Sequence, residues 1–334
     1  MAKVLLGMSG GVDSSVSLHL LQQSGYEVEG VYMKLHDKDG DGYEKAQKVA
    51  AFFDVKLHFV DFQDEFKKNV YNYFIDSYKE GQTPNPCIIC NRQIKFGVLI
   101  DFAHSLGINK IATGHYTRSD GEFFYEGSDK GKDQSYFLAL VDKKAIKNTI
   151  FPLANLHKEE VKQIAKKFEI LTSIANQKES SEICFVEKSY IDVLKEHMAI
   201  DFEGDVLKDG KVVGKHKGYM HYTIGKRRGF SVYGAHEPHF VTHIDAKNNT
   251  ISVGLKDDLQ TYKVVVERLN LFNLLPSKCE VKLRYRTKKL PCKIVQEDNR
   301  AYIELLEPAY AVAIGQIAAF YDKEKLLGGG IIVG

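Results

Sequence analysis

The feature that most constrains this chain is a turn. Ser9-Gly10-Gly11-Val12-Asp13-Ser14-Ser15 joins a short apolar run, Lys3 to Met8, to a segment in which Val12, Val16 and Leu20 recur every four residues, with Leu21 beside them. An apolar strand that ends in two glycines and opens at once into a helix is compatible with few architectures. The residues that follow narrow the choice. Gly25 stops the helix. Glu27 to Met33 and Lys56 to Phe62 have strand character, and Lys110 to Gly114 is a further strand. Between and after them, Tyr43 to Phe53, Glu65 to Tyr78 and about Asn91 to Leu106 have helical character. Strands that alternate with helices pair in parallel through right-handed crossovers, which predicts a doubly wound α/β sheet. Ligands of such sheets sit beyond the carboxyl ends of the strands, where both MSGG and ATGH fall.

The texture then changes. Lys158 to Phe168 and Ser189 to His197 are expected to be helical and to close the first unit. From Asp201, GDVLKDGKVVGKHKG carries an Asp-Gly hairpin signal. From Val264 onward, successive strand-like pieces predict a small antiparallel β-barrel. The expected units are 1–200, a small central domain at 201–263, and the barrel at 264–334. A length of 334 residues suits two or three domains. With 44% hydrophobic and 27% charged residues the chain is neither disordered nor fibrous. No apolar run reaches the roughly 18 residues that span a bilayer, and the start, MAKVLLGMSGG, lacks a signal-peptide pattern. A cytoplasmic setting is therefore expected, in which thiols stay reduced. The net charge of +2 means that any nucleic-acid partner must be met by local basic patches.

The glycine turn suits a phosphate. Two glycines let the backbone approach an anion, the N–H groups of the helix start point at it, and the helix dipole favours negative charge. Ser9, Ser14 and Ser15 are expected to add hydroxyl donors, and Asp13 to cap the helix or hold a metal ion. The turn is not a Walker loop, since no G-x-x-x-x-G-K-[ST] occurs, nor is there a G-x-G-x-x-G fingerprint.

Five cysteines in a chain of this length do not make a disulfide framework. Cys279 and Cys292 lie in alternating strands and are expected to be small buried hydrophobes. Cys87 and Cys90 follow TPNP, whose prolines predict an extended loop, with a helix starting near Cys90 or Asn91. A thiol at a helix N-terminus should have a lowered pKa and be nucleophilic. Cys184 sits in the polar segment ESSEICFV.

These motifs carry a resemblance. SGGVDSS is similar to the PP-loop of the ATP pyrophosphatase superfamily. Together, GMSGGVDSSV, TPNP, CNRQIKF, ATGHY, KDQSYFL, ICFV, GYMHYTIGKRRG, RYR, the Gly315-Gln316 pair and LGGGII resemble the MnmA (TrmU) family of tRNA-specific 2-thiouridylases nearly end to end. The resemblance implies a PP-loop domain, a small central domain and a C-terminal β-barrel. It implies that ATP, with Mg²⁺, adenylates the C2 oxygen of the wobble uridine, and that a cysteine persulfide then delivers sulfur with release of AMP and pyrophosphate. ATP would lie against Gly7, Met8, Ser9, Gly10, Gly11, Val12, Asp13 and Ser14, with Met33 and Gly114. Cys184 would accept sulfur from an upstream carrier protein. Cys90 would be the second catalytic thiol, attacking the outer sulfur or freeing hydrogen sulfide by forming a disulfide with Cys184. Asn85, Pro86 and position 87 correspond to the segment that meets the target base, and His115 to a position near the reacting groups. Lys132, Asp133 and Gln134, and Arg284, Tyr285 and Gln316, correspond to tRNA contacts. The family's tRNAs accept lysine, glutamine and glutamate.

Two positions depart from the family pattern. Many members carry Asp where this chain has Cys87, and Glu179 stands where Asp is frequent. A thiol cannot simply replace a carboxylate. Either Cys87 is a bystander, or Cys87, Cys90 and Cys184 form a three-thiolate nest for a 4Fe–4S cluster with one open iron. On the barrel side, strand alternation would put Lys282, Arg284 and Arg286 on one face of VKLRYR. With Lys288, Lys289 and Lys226-Arg227-Arg228 they would make phosphate-binding patches. Two other readings are compatible with the turn: a different PP-loop ligase or thiolase, and a tRNA-binding or redox-sensing protein without chemistry.

Overall fold

The computed structural model describes residues 1–37, 40–175 and 183–334. The first sheet is built from β1 (Lys3–Gly7), β2 (Glu27–Lys34), β3 (Leu57–Asp61), β4 (Ile111–Ala112) and β7 (Thr149–Ile150). Its order is β3-β2-β1-β4-β7, and every pairing is parallel. The chain runs outward from β1 through β2 to β3, then returns to the other side of β1 to lay down β4. The crevice between the ends of β1 and β4 is therefore the switch point of the sheet, where ligands of this architecture bind. Val4, Leu5 and Leu6 of β1 are fully buried, because helices cover both faces of a parallel sheet.

The first helix, Val12–Gln23, buries a different face from the one that the spacing of Val12, Val16 and Leu20 predicts. Val16, Leu18 and Leu21 are buried together with Ser14, Ser15 and Ser17, whereas Val12 and Leu20 are only partly covered. The helices Lys158–Ala165 and Glu169–Ala175 pack beside it, so it is enclosed on more than one side. Three buried serines are tolerated because each hydroxyl donates to a backbone carbonyl: Ser14 and Ser15 to Gly11, Ser17 to Asp13.

The Asp-Gly turn forms as expected. Asp209 and Gly210 both have positive φ, +51° and +75°, between β8 (Gly204–Lys208) and β9 (Lys211–His216). With β10 (Phe240–Asp245) and β11 (Thr250–Gly254) they make a four-stranded sheet in the order β10-β11-β8-β9. The remaining strands are β12 (Gln260–Leu271), β13 (Lys278–Lys282), β14 (Leu290–Glu297), β15 (Arg300–Tyr310), β16 (Ile317–Asp322) and β17 (Lys325–Ile332). They run β12-β15-β14-β13-β16-β17, and β17 pairs back to β12, which closes a six-stranded antiparallel barrel.

The units are not independent. The hairpin of β5 (Thr117–Ser119) and β6 (Phe124–Glu126) leaves the α/β unit and joins the barrel sheet at the edge of β17. The Tyr136 hydroxyl donates to Ile317 O at 3.0 Å, and Asn270 Nδ2 donates to the carbonyls of Ala139 and Val141. The Tyr219 hydroxyl of the central unit donates to Lys79 O at 2.6 Å. No helix among the described residues is long and apolar enough to cross a membrane.

Candidate active site

At the end of β1 the chain turns through Gly10 with φ +75°. A Cβ there would lie 2.5 Å from the backbone oxygen of Gly42, so only glycine fits. Gly11 is the N-cap of the Val12–Gln23 helix, and no side chain caps its first turn. The N–H groups of that turn are consequently left facing the end of the sheet. Two hydroxyls expected to face a ligand, those of Ser14 and Ser15, instead donate to Gly11 O at 3.0 and 2.9 Å and brace the turn from inside. Ser9 stays exposed at its mouth.

Residues far apart in sequence converge here. A side chain on Gly7 would meet Met33 Cε at 3.7 Å, and one on Gly114 would meet the backbone of Asp13 and Ser14 at 3.1 to 3.2 Å. Met8, buried, donates its N–H to Val31 O at 2.8 Å. Asp13 does not cap the helix. Its carboxylate accepts from Lys158 Nζ at 2.7 and 2.8 Å and from the Tyr116 hydroxyl at 2.7 Å. Lys158 is buried, and its own N–H donates to Asp129 Oδ2 at 2.9 Å. A cation 145 residues away thus neutralises the one acid of the glycine turn, which removes the repulsion that Asp13 would offer a phosphate. Beside it, Lys132, His157, Lys158 and Lys162 line a cleft of about 430 Å³.

The cysteine segment departs from expectation. Pro86 does not hold the loop extended: it is the first residue of the helical segment Pro86–Cys90, which runs on as the π-helix Asn91–Val98 and then Leu99–Ser105. Proline is favoured at a first helical position because its missing N–H would have no partner there anyway. Asn85 caps the start, its side chain accepting from Ile88 N at 3.3 Å. Cys90 therefore sits a turn inside the helix and is buried. Burial pushes its thiol up to about 11, with the nearby Lys95 charge opposing, and pushes the Cys87 thiol up as well. The lowered pKa expected from the helix dipole does not occur, because the cap is filled and the sulfur is desolvated.

Lys95 and Asn91 were not singled out from the sequence. An α-helical period places Lys95 well round the helix from Cys90, but the wider π-helical turn, with its i to i+5 hydrogen bonds, brings the two toward one face. The Lys95 charge is felt at Cys87, Cys90 and His115. Among the described residues it has no carboxylate partner. Asn91 is buried; its Nδ2 donates to Phe137 O at 3.0 Å, while its Oδ1 is buried without a partner among the described residues. His115 is buried with its ring 5.7 Å from Phe96, and Nδ1 meets Thr113 Oγ1 at 2.7 Å. Burial first, and Lys95 second, hold it well below the usual histidine range, so it is a neutral imidazole. Through Gly114, His115 and Phe96 the thiol helix abuts the glycine turn.

Cys184 is exposed. The next residue, Phe185, packs on Phe66, Tyr71 and Phe74 at ring distances of 5.7, 5.2 and 5.2 Å. Those rings belong to the helical run Gln63–Phe66, Lys67–Tyr71 and Asn72–Lys79, against which the Pro86–Cys90 helix also packs. Both thiols are thereby referred to one support. The three-thiolate nest is not formed: no group of three or more Cys, His, Asp or Glu suited to a metal ion occurs among the described residues. Cys87 and Cys90 share one buried helix while Cys184 faces outward, so the donor set does not fit a 4Fe–4S cluster. Glu179 lies outside the described residues.

The expected RNA-facing residues divide. Asp133 is buried, accepting from the N–H groups of Gly127 and Ser135 and from the Ser135 hydroxyl, and Gln134 Oε1 accepts from Tyr116 N at 2.9 Å. Both organise their loop from within. Gln316 Nε2 donates to Thr83 O at 2.8 Å and Pro84 O at 3.4 Å, so it clasps the segment before Cys87 to the barrel. Strand β13 ends at Lys282, and Leu283 to Lys289 form a turn rather than an alternating strand. In that turn Tyr285 packs on Phe137 at 4.3 Å, while Arg284 and Arg286 are exposed. Lys289 pairs with Glu126 and Glu280, Lys288 with Glu307, and Lys226 donates to His221 O, which removes three cations from the expected patches. Arg284 and Gln316 line a cleft of about 300 Å³ with Thr83 and Thr223, where the three units meet.

Comparison with known proteins agrees with this organisation. A family model described as a tRNA methyl transferase HUP domain matches residues 2–188. A tRNA methyl transferase PRC-barrel domain matches 191–255, and an aminomethyltransferase beta-barrel domain matches 260–332. The chain is 54% identical over 334 residues to tRNA-specific 2-thiouridylase MnmA 1 of Aliarcobacter butzleri, covering 98% of this chain and 96% of that one. It is 52% identical to tRNA-specific 2-thiouridylase MnmA of Sulfurimonas denitrificans, covering 99% and 98%, and of Campylobacter jejuni, covering 99% of each. The chain belongs to the tRNA-specific 2-thiouridylase family.

Proposed function

We propose that this protein is a tRNA sulfurtransferase that makes 2-thiouridine at the wobble position at the cost of ATP. The observation that carries this reading is the junction of an uncapped glycine turn, its acid already neutralised by Lys158, with a helix bearing a buried thiol. The turn takes the phosphates of ATP, with Mg²⁺ accompanying the nucleotide as part of the substrate. Uracil C2 is a poor electrophile because its oxygen leaves poorly. Attack of that oxygen on the α-phosphorus expels pyrophosphate and turns the oxygen into part of an AMP leaving group.

Sulfur arrives as a persulfide on Cys184, whose exposure suits acceptance from a carrier protein. The Cys90 thiolate attacks the inner sulfur of that persulfide. The Cys90–Cys184 bond forms, the S–S bond of the persulfide breaks, and hydrosulfide leaves. Hydrosulfide adds to C2, AMP departs with the former C2 oxygen, and 2-thiouridine remains. An external dithiol then reduces the disulfide. Because Cys90 is protonated at neutral pH, its proton must be lost as substrate binds, and the Lys95 ammonium is the charge placed to favour the thiolate. Exposed Arg227, Arg228, Arg284 and Arg286 meet the tRNA backbone. The tRNAs are those accepting lysine, glutamine and glutamate, and the setting is the cytoplasm.

The deciding experiment supplies ATP, Mg²⁺, sulfide and unmodified tRNA, and follows nucleosides by mass spectrometry together with pyrophosphate. Uridine gains the mass difference of sulfur for oxygen, with one AMP formed per event. A different ligase would release pyrophosphate without thiolated nucleoside, and a binding protein would release none.

A further inference from the structure

The catalytic reading leaves Cys279 and Cys292 unused. They are 13 residues apart, on β13 and β14, and stand directly opposite each other in the antiparallel ladder. Their sulfurs are 3.8 Å apart. The opposing pair Glu280–Pro291 cannot exchange two hydrogen bonds, because Pro291 has no N–H, while Ile294 N donates to Ser277 O at 3.0 Å. Alternation along the ladder therefore makes Cys279–Cys292 a hydrogen-bonded pair, with Cα atoms about 5.5 Å apart. That separation lies near the middle of the range a disulfide accepts, roughly 4.4–6.8 Å. Cys279 is partly exposed and Cys292 is buried. Two thiols expected to be separate small hydrophobes are thus a cross-strand dithiol at the base of the hairpin whose turn carries Arg284 and Tyr285.

We propose that Cys279 and Cys292 are a redox modification site, converted by a small-molecule disulfide into one intramolecular disulfide that clamps the β13–β14 hairpin. The Cys292 thiolate attacks one sulfur of the oxidant, RSSR, giving a mixed disulfide and one RS⁻. The Cys279 thiolate then attacks the Cys292 sulfur, expelling the second RS⁻. Two protein thiols are oxidised, one RSSR is reduced to two RSH, and the two cysteine protons end on the released thiols. Hydrogen bonding between the sulfurs favours the thiolate at Cys292.

Incubation of the full chain in glutathione buffers of increasing oxidised fraction, followed by alkylation and peptide mapping, tests this. The expected product is a Cys279–Cys292 cross-link, two mass units lighter than the dithiol, that dithiothreitol reverses. It should exceed glutathione adducts at these positions at least tenfold. Cys279→Ser should leave only a glutathione adduct, or free thiol, at Cys292. Hydrogen exchange of residues 283–289 should slow on oxidation of the native chain and not of Cys279→Ser. Adducts without cross-link, or two alkylatable thiols even after diamide, would overturn the site. Unchanged exchange in a cross-linked chain would overturn the clamp.

Discussion

Two helix starts serve the candidate site, and they differ in how their first turns are capped. The Val12–Gln23 helix opens on Gly11, with no side chain over its first turn. The Pro86–Cys90 helix opens on Asn85, whose side chain takes the Ile88 N–H, with proline at its first position. An open start offers donors to an anion from outside. A filled start offers fewer, and what it presents instead is a buried thiol protonated at neutral pH. The comparison shows that a helix dipole is useful to a ligand or thiolate only where the terminal N–H groups are not already committed and water is not already excluded. One start is built for charge on arrival, the other for withholding charge until the substrate is in place.

The largest effect should come from closing the open start. Gly10→Ala forces a Cβ to 2.5 Å from Gly42 O at a left-handed φ, and we expect ATP-dependent pyrophosphate release to fall on the order of 100-fold or more. Retained release would break the comparison at its root. At the filled start, Cys90→Ser should abolish 2-thiouridine in nucleoside mass spectra when sulfur is supplied as the Cys184 persulfide rather than as free sulfide, yet leave pyrophosphate release on tRNA within about 3-fold, since the two starts serve separate steps. Loss of both would mean that they are one machine. Lys158→Met uncovers Asp13 beside the phosphates and should raise the KM for ATP about 10-fold, equivalent to about 1.4 kcal/mol, with Lys158→Arg largely restoring it.

Smaller changes sharpen the contrast. Because the folded Cys90 pKa of about 11 lies above the ordinary value, the thiol stays neutral below it and ionises as pH rises through it. Its iodoacetamide labelling should accordingly still be climbing between pH 9 and 11. Lys95→Gln should slow Cys90 labelling at pH 9 by about 3- to 10-fold, one pKa unit being tenfold. A rate plateau for Cys90 near pH 8 would remove the idea of a withheld thiolate. Asn85→Ala should cost about 1 kcal/mol of stability, seen as a lower Tm, and act on Cys90 only through the mobility of that cap.

What could be read along the chain was what local spacing encodes. The alternation of Lys3 to Gly114, the Asp209-Gly210 hairpin and the successive strands after Val264 each announce themselves within a dozen residues, because side-chain period and turn chemistry are local properties. The meeting of the glycine turn with Met33 and Gly114, expected from the family resemblance, follows from sheet order, which places those strand ends together. Other features could not be read locally. Lys158 meets Asp13 across 145 positions, Gln316 clasps Thr83 across 233, and the Thr117–Glu126 hairpin joins a barrel sheet formed by residues after 259. Such pairings depend on which surfaces pack, and no periodicity records that. The pKa of Cys90 belongs to the same class. The residues around it in sequence suggested an ionised thiol at a helix start, and only the depth of burial, a property of the packed whole, decided that it is protonated.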